Sequence, residues 1–260
     1  MSIKSRLKAV LRPAYYAIMQ PKVDKLCLST YSRLQDLKNK YVGNRCFIVA
    51  NGPSLRMEDL DRIKDEYSFG MNRIYMLFDR TEWRPTFYTC QDPSLIRTCH
   101  EEIITRVSEE KSICIIKPTG QKKYNIPDSI YIDVNFMDGV KRIEPGFLSK
   151  KKDYEFDDGL TSVYLAMQLA VYMGFSEIYL LGTDCNYSAN NDKITENSYP
   201  DSRMYDPTKM GMPPQIESMF RAYSIARKYC EQHDIKIMNA TRGGKLEVFK
   251  RIELDNLFVQ

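Results

Sequence analysis

The sequence predicts an α/β fold: a Rossmann-like, mostly parallel sheet with helices on both faces, carrying a lid loop and a basic N-terminal helical arm. Three observations predict it. Short apolar runs alternate with helical patterns along residues 45–185, the rhythm of strands buried on both faces by crossover helices. Several of those runs end in small polar residues, the signature of strands whose carboxyl ends form a site. Leu160 to Phe175 is apolar nearly all round, as a helix buried between layers is.

The elements follow in order. Residues 1–40 read as the arm, in which Leu7, Val10, Leu11, Tyr15 and Ile18 mix with basic residues and Pro13 interrupts. Nine Lys/Arg against Asp24 and Asp36 give the arm +7, so the other 220 residues sum to −3 within a whole-chain charge of +4. Such a segment either lies on an anionic membrane surface or packs on the body or a partner. The acidic body excludes a basic nucleic-acid-binding domain. Residues 41–260 are expected as one domain. "RCFIVA" is a strand, "MEDLDRIKDE" a helix, "YSFGMN" and "TFYTCQD" strands, "SICIIK" a fourth strand and "SIYIDV" a fifth. After the helix from Leu160 come the strand "EIYLLGTD", a helix over 213–234 and a last strand "IKIMNAT". "NATRGGKLEVF" reads as strand, turn, then helix. Residues 135–159 and 186–214 break the rhythm, and the second stretch, with Tyr187, Tyr199 and Tyr205, is expected to be a lid.

Bulk numbers narrow the class. The hydrophobic fraction is 43%, enough for a full core. Mean hydropathy is −0.45, and no apolar run approaches the roughly 18 residues of a spanning helix. Lys4, Arg6, Lys8 and Arg12 interrupt the apolar N-terminal candidates for a signal peptide. Seven scattered Cys with no CxxC spacing, and two His, make no zinc set. Free thiols in a reducing cytoplasm are expected.

The strand ends supply the candidate site: Asn51-Gly52-Pro53-Ser54, Asn72, Gln91-Asp92-Pro93-Ser94, Thr183-Asp184 and the turn after Asn239 with Arg242. Amides, hydroxyls and backbone N–H groups bind a neutral or anionic ligand, not a metal box. In the first turn Gly52 allows close backbone approach, Pro53 fits a first helical turn, and Ser54 with free N–H groups can take phosphate oxygens. An ordinary strand-to-helix turn with a Ser cap is the alternative. Neither the dinucleotide fingerprint nor a P-loop is present. Thr161 and Ser162 begin a helix, either as caps or as a second anion site. Asp92 and Asp184 are placed to meet a sugar hydroxyl, hold Mg²⁺, act as a base, or cap a turn. Arg242 and Lys245 flank two glycines and either pair with an anion or are solvated. His100 and His233 look like helix-surface residues without a catalytic role.

"FIVANGPSL", "FGMNRIY", "CQDPSL" and "LTSVYLAMQLAVYMGFSEIYLLGTDCNY" together resemble the bacterial sialyltransferases that use CMP-sialic acid. They also resemble a broader set related to the archaeal hydroxymethylpterin pyrophosphokinase, tied to surface polysaccharide and flagellin glycosylation. The resemblance covers roughly residues 45–190, with a weaker echo to 245. It implies that Asn51 and Ser54 meet the CMP phosphate and ribose, Asn72 the nucleotide or donor sugar, and Thr161 and Ser162 the sugar carboxylate or phosphate. It implies that lid tyrosines, Tyr187 among them, meet the leaving phosphate. Three departures stand out: residues 186–214 hold no His where the family has its base, Val163 replaces a Gly, and Gly159 falls where the family has an Arg. Asp92 stands where those enzymes have Asn. The expected activity is glycosyl transfer from a nucleotide-activated, CMP-linked sugar to a glycan or glycolipid acceptor. The alternatives are a Mg²⁺-dependent pyrophosphokinase of a small heterocycle, or a nucleotide-sugar-binding protein without catalysis. No cofactor is required, Mg²⁺ and self-association stay open, and the expected location is cytoplasmic, at the inner membrane surface if the arm binds there.

Overall fold

The structure, a computed structural model, describes residues 17–135, 146–149, 152–186, 195–208 and 215–258. The chain opens with helix α1 (residues 17–29) and α2 (Tyr31–Gln35), then β1 (Arg45–Val49), α3 (Met57–Arg62), β2 (Ser68–Met71) and β3 (Phe87–Cys90). Next come α4 (Pro93–Ile103), β4 (Ile113–Ile116), β5 (Ile130–Tyr131), β6 (Asp133–Asn135) and β7 (Glu155–Asp157). The last elements are α5 (Ser162–Tyr172), β8 (Glu177–Leu181), α6 (Ile216–Gln232), β9 (Lys236–Asn239) and β10 (Lys250–Arg251).

Among the described residues eight strands form one sheet in the order β10-β9-β8-β1-β2-β3-β4-β5, and every pairing is parallel. The chain first builds outward from β1 to β5, then returns to lay β8 against the other side of β1. For such a parallel sheet the right-handed crossover rule assigns the helices of the two halves to opposite faces. α5 crosses β1, β2 and β3 and rests on α6. Its residues from Val163 to Ala170 are all buried, as its all-round apolar sequence requires.

Two expectations change. "SIYIDV" is not one strand: Ile130–Tyr131 joins the large sheet, whereas Asp133–Asn135 leaves it to pair with Glu155–Asp157. Lys117, at the end of β4, holds the divergence by donating to Asp133 Oδ1 at 3.1 Å and to the Val134 carbonyl. The helix expected after Gly244 is also absent. Gly243 and Gly244 both take positive φ, and Arg251 caps the carbonyls of Thr241, Gly243 and Gly244. The segment turns into β10 instead, burying Leu246 and Phe249.

Residues 17–40 pack on the β4–β5 side of the sheet. Val23, Cys27, Leu34 and Leu37 join the core, Gln20 Nε2 donates to Asp133 Oδ2 at 2.6 Å, and Lys152 pairs with Asp24 at 2.6 Å. Residues 1–16 of the expected arm lie outside the described residues. All seven cysteines are buried and unbridged.

Candidate functional site

The strand order reverses between β1 and β8, so the crevice beyond their carboxyl ends is the place where an open α/β sheet binds ligands. Asn51-Gly52-Pro53-Ser54 leaves β1 there, and Gly182-Thr183-Asp184 leaves β8. The two loops are joined: Gly52 N–H donates to the Gly182 carbonyl at 2.8 Å, and Ser54 Oγ donates to Asp184 Oδ2 at 2.8 Å. A Cβ on Gly52 would lie 1.9 Å from Asp184 Oδ2 and 2.3 Å from Gly182 O. Gly52 is therefore required by the neighbouring loop. Ser54 bridges the crevice and is not a helix cap, because α3 begins later, with Arg56 at the N-cap position and its N–H donating to Asp59 Oδ2 at 3.1 Å. Burial pushes the Asp184 carboxyl above its ordinary value, against the lowering effect of the Ser54 hydrogen bond. Thr183 faces the next strand, its N–H donating to Thr241 Oγ1 at 3.0 Å. Gly244 (φ 73°) brings its turn against the Asp184 backbone, and Lys245 N donates to Asp184 O at 2.7 Å.

A second group sits at the ends of β2 and β3. Asn72 adopts φ 53°, a left-handed conformation that Asn tolerates. Its Oδ1 accepts from Ser162 Oγ at 3.2 Å, which ties β2 to the N-terminus of α5. Thr161 caps α5, accepting from Val163 N at 3.4 Å, and Tyr223 of α6 donates to the same hydroxyl at 3.4 Å. On the next strand Gln91 Nε2 donates to Asp158 Oδ1 at 3.3 Å. Asp158 also accepts from Leu160 N at 2.7 Å, and burial pushes its carboxyl up.

Residues 195–208, the described part of the stretch expected to be a lid, are folded onto the body. Met204 is fully buried. Arg203 pairs with Asp201 at 2.7 Å and Asp79 at 2.6 Å, and Arg80 also reaches Asp201 at 3.1 Å. Arg203, helped by Arg80, holds the Asp201 carboxyl well below the usual range. Arg73, directly after Asn72, donates to the Met204 carbonyl at 2.8 Å. Burial raises the Tyr199 hydroxyl, with the nearby Arg73 charge opposing and Tyr205 adding to the rise. Tyr187 lies outside the described residues.

Buried polar atoms without a protein partner gather on this edge. Among the described residues they are Asn51 Oδ1, Arg73 Nε, Thr89 Oγ1, Gln91 Oε1 and Asp158 Oδ2, with His100 Nδ1 and Ser129 Oγ elsewhere. Five such atoms on β1–β3 and the facing loop are a hydrogen-bonding set that the fold leaves for a ligand or water. Asn51 contributes one, while its Nδ2 is held by the Met71 carbonyl at 3.2 Å.

Other sequence candidates fall outside the set. Asp92 is the N-cap of α4, accepting from Ser94 N at 2.7 Å and Leu95 N at 3.4 Å, with Pro93 in the first turn. Ser94 is thereby part of the cap. Arg242 is paired with the buried carboxylate of Asp59 on α3. Pro53 is exposed. Asp92 and Asp184 leave strands that are three apart in the sheet, and each carboxylate is engaged locally, Asp92 by the N-terminus of α4 and Asp184 by Ser54. His233, on the surface, stacks on Tyr229, and its Nδ1–H donates to the Tyr229 carbonyl at 2.7 Å. Arg73 and Asp158 were not singled out by sequence. The signal for each was its position, one residue beyond a strand-end Asn and one turn before a Thr-Ser helix start.

A family model described as 6-hydroxymethylpterin diphosphokinase MptE-like matches residues 25–190, in keeping with the resemblance to the hydroxymethylpterin-related set. No curated protein matches the chain. Among solved structures, the MAf glycosyltransferase from Magnetospirillum magneticum AMB-1 has a TM-score of 0.53 at 16% identity, over 90% of this chain and 39% of that one. The chain thus spans well under half the length of that enzyme. The sialyltransferase CstII from Campylobacter jejuni, solved with cytidine-5'-monophosphate, has a TM-score of 0.48 at 15% identity, over 81% of this chain and 85% of that one. At 16% identity the likeness to the MAf glycosyltransferase is one of fold alone.

Proposed function

The chain belongs to the 6-hydroxymethylpterin diphosphokinase MptE-like family, and within that family we propose for it sugar transfer from a nucleotide-activated, CMP-linked donor to a surface-glycan or glycolipid acceptor. The observation that carries this reading is the row of unsatisfied buried polar atoms at the strand ends, beside the reversal of strand order. Such a row suits a ligand recognised by many hydrogen bonds, as a nucleotide sugar is. Asn51 and Ser54 meet the phosphate and ribose. Asn72, Ser162 and the α5 N-terminus meet the donor sugar, where the helix dipole favours its negative charge. Asp184, with its carboxyl raised by burial, takes the acceptor proton as the hydroxyl attacks the anomeric carbon. The lid tyrosines Tyr187, Tyr199 and Tyr205 stabilise the departing phosphate.

The proposed organisation is one nucleotide-sugar-binding domain, residues 41–260, with a lid at 186–214 and an arm at 1–40. The arm's Lys4, Arg6, Lys8 and Arg12 are suited to an anionic membrane surface. No helix among the described residues is long and apolar enough to cross a membrane.

The test is release of CMP from CMP-linked sugars with and without a glycan acceptor. We expect turnover that Asp184→Asn abolishes; no release from any nucleotide sugar would refute the reading. A second reading, pyrophosphoryl transfer to a small heterocycle, is favoured by the family match over 25–190. Consumption of Mg²⁺-ATP with a hydroxymethylpterin acceptor would decide for it.

A further inference from the structure

Two cations are buried among the described residues, Lys117 and Arg73. Lys117 is neutralised by Asp133 at 3.1 Å. Arg73 has no acidic partner among the described residues, although other arginines of this fold do: Arg45 with Glu66, Arg203 with Asp79 and Asp201, Arg242 with Asp59. The residue is only 7% exposed. One guanidinium nitrogen donates to the Met204 carbonyl, and Nε–H meets nothing. A guanidinium taken out of water needs a counter-charge, because one neutral carbonyl does not replace its hydration.

We propose that Arg73 is the anion-binding residue of the site and that its counter-charge is a phosphate of the bound ligand. This deepens the nucleotide-sugar reading and rests on it. The position is suited to the task. Arg73 follows Asn72, which reaches the α5 N-terminus through Ser162, and its charge is felt at Tyr199. The planar guanidinium presents its Nε edge to a phosphate oxygen, a geometry that a lysine does not reproduce. Because the same group holds the Met204 carbonyl, phosphate binding and docking of residues 202–204 share one side chain. The departing phosphate would thus meet a fixed cation.

The experiment is calorimetric titration of CMP, cytidine and inorganic pyrophosphate into the intact protein, its Arg73→Gln variant and its Arg73→Lys variant. Wild type should bind CMP at least about 30-fold more tightly than cytidine, and Arg73→Gln should weaken CMP by about 30- to 100-fold while moving cytidine less than about 3-fold. Arg73→Lys should fall between. Equal CMP affinity in wild type and Arg73→Gln, or equal loss for CMP and cytidine, overturns the proposal. If Arg73→Gln fails to fold, the wild-type comparison still decides, since equal affinity for CMP and cytidine overturns it. Pyrophosphate separates the two claims. Arg73-dependent pyrophosphate binding without any nucleotide binding keeps the anion site and removes the nucleotide reading, whereas Arg73-independent CMP binding does the reverse.

Discussion

Replacing Gly52 with alanine perturbs the junction on which the proposed site stands. The new Cβ would sit 1.9 Å from Asp184 Oδ2 and 2.3 Å from the Gly182 carbonyl. The carboxylate must swing away and release Ser54 Oγ, now 2.8 Å distant. The carbonyl cannot move freely, because it receives Gly52 N–H at 2.8 Å in continuation of the β1–β8 ladder. Overpacking of this kind costs about 1–3 kcal/mol, and a lost hydrogen bond to a carboxylate adds about 1.5–3 kcal/mol. Together they amount to about 2.5–6 kcal/mol, which for a chain of this size lowers Tm by about 5–24 °C. Thermal unfolding followed by circular dichroism reads the change. The double variant with Asp184→Ala should be less destabilised than the sum of the single variants, since the closest clash is removed. A Gly52→Ala protein melting within about 1 °C of wild type would refute the reasoning.

Asp92→Ala removes the α4 N-cap and should cost about 1 kcal/mol without altering CMP affinity; weakened CMP binding at unchanged stability would return Asp92 to the site. Asp158 has its folded carboxyl raised, so the native state prefers the proton and stability falls as pH rises from the ordinary carboxylate value, about 3.9, through the folded one. Asp158→Asn should therefore melt higher than wild type at pH 7, with the gap closing below about pH 4; a gap that widens in acid contradicts this. The Asp201 carboxyl is depressed by Arg203, so the stability it contributes is present above the ordinary carboxylate value and is lost as pH falls through the depressed one. Hydrogen exchange at residues 195–208 should quicken selectively in that acid range, relative to its intrinsic rate, and at pH 7 in Arg203→Ala. Unchanged protection in both would show that the ion pairs do not hold this segment.

Much of the fold was legible because parallel strands buried on both faces read as uninterrupted apolar runs, as in Cys46–Val49 and Ile178–Leu181, all buried. The buried α5 was legible for the same reason. The break between β5 and β6 was not, because it is made by Lys117 reaching across from another strand. Leu246 and Phe249 have helical spacing yet bury from a turn, and the determinant is Arg251 capping carbonyls from further along the chain. Of the candidate site, the strand-end positions could be read off, but the partners of each side chain could not. Arg242 finds Asp59 and Asp92 caps its own helix, while Arg73 and Asp158 stay buried with unsatisfied atoms. Those outcomes depend on which loops the sheet order brings together.

The central claim is that the strand-end crevice grips a nucleotide through its phosphate and ribose without a P-loop. Thermal shift with CMP, CDP, UDP and ATP, each with and without Mg²⁺, on wild type and Asn51→Ala tests it most directly. CMP at a hundred times its Kd should stabilise wild type by about 2.7 kcal/mol, a rise of about 5–11 °C, without Mg²⁺ and with a smaller rise in Asn51→Ala. Stabilisation by ATP only with Mg²⁺, or by no nucleotide, would contradict the claim.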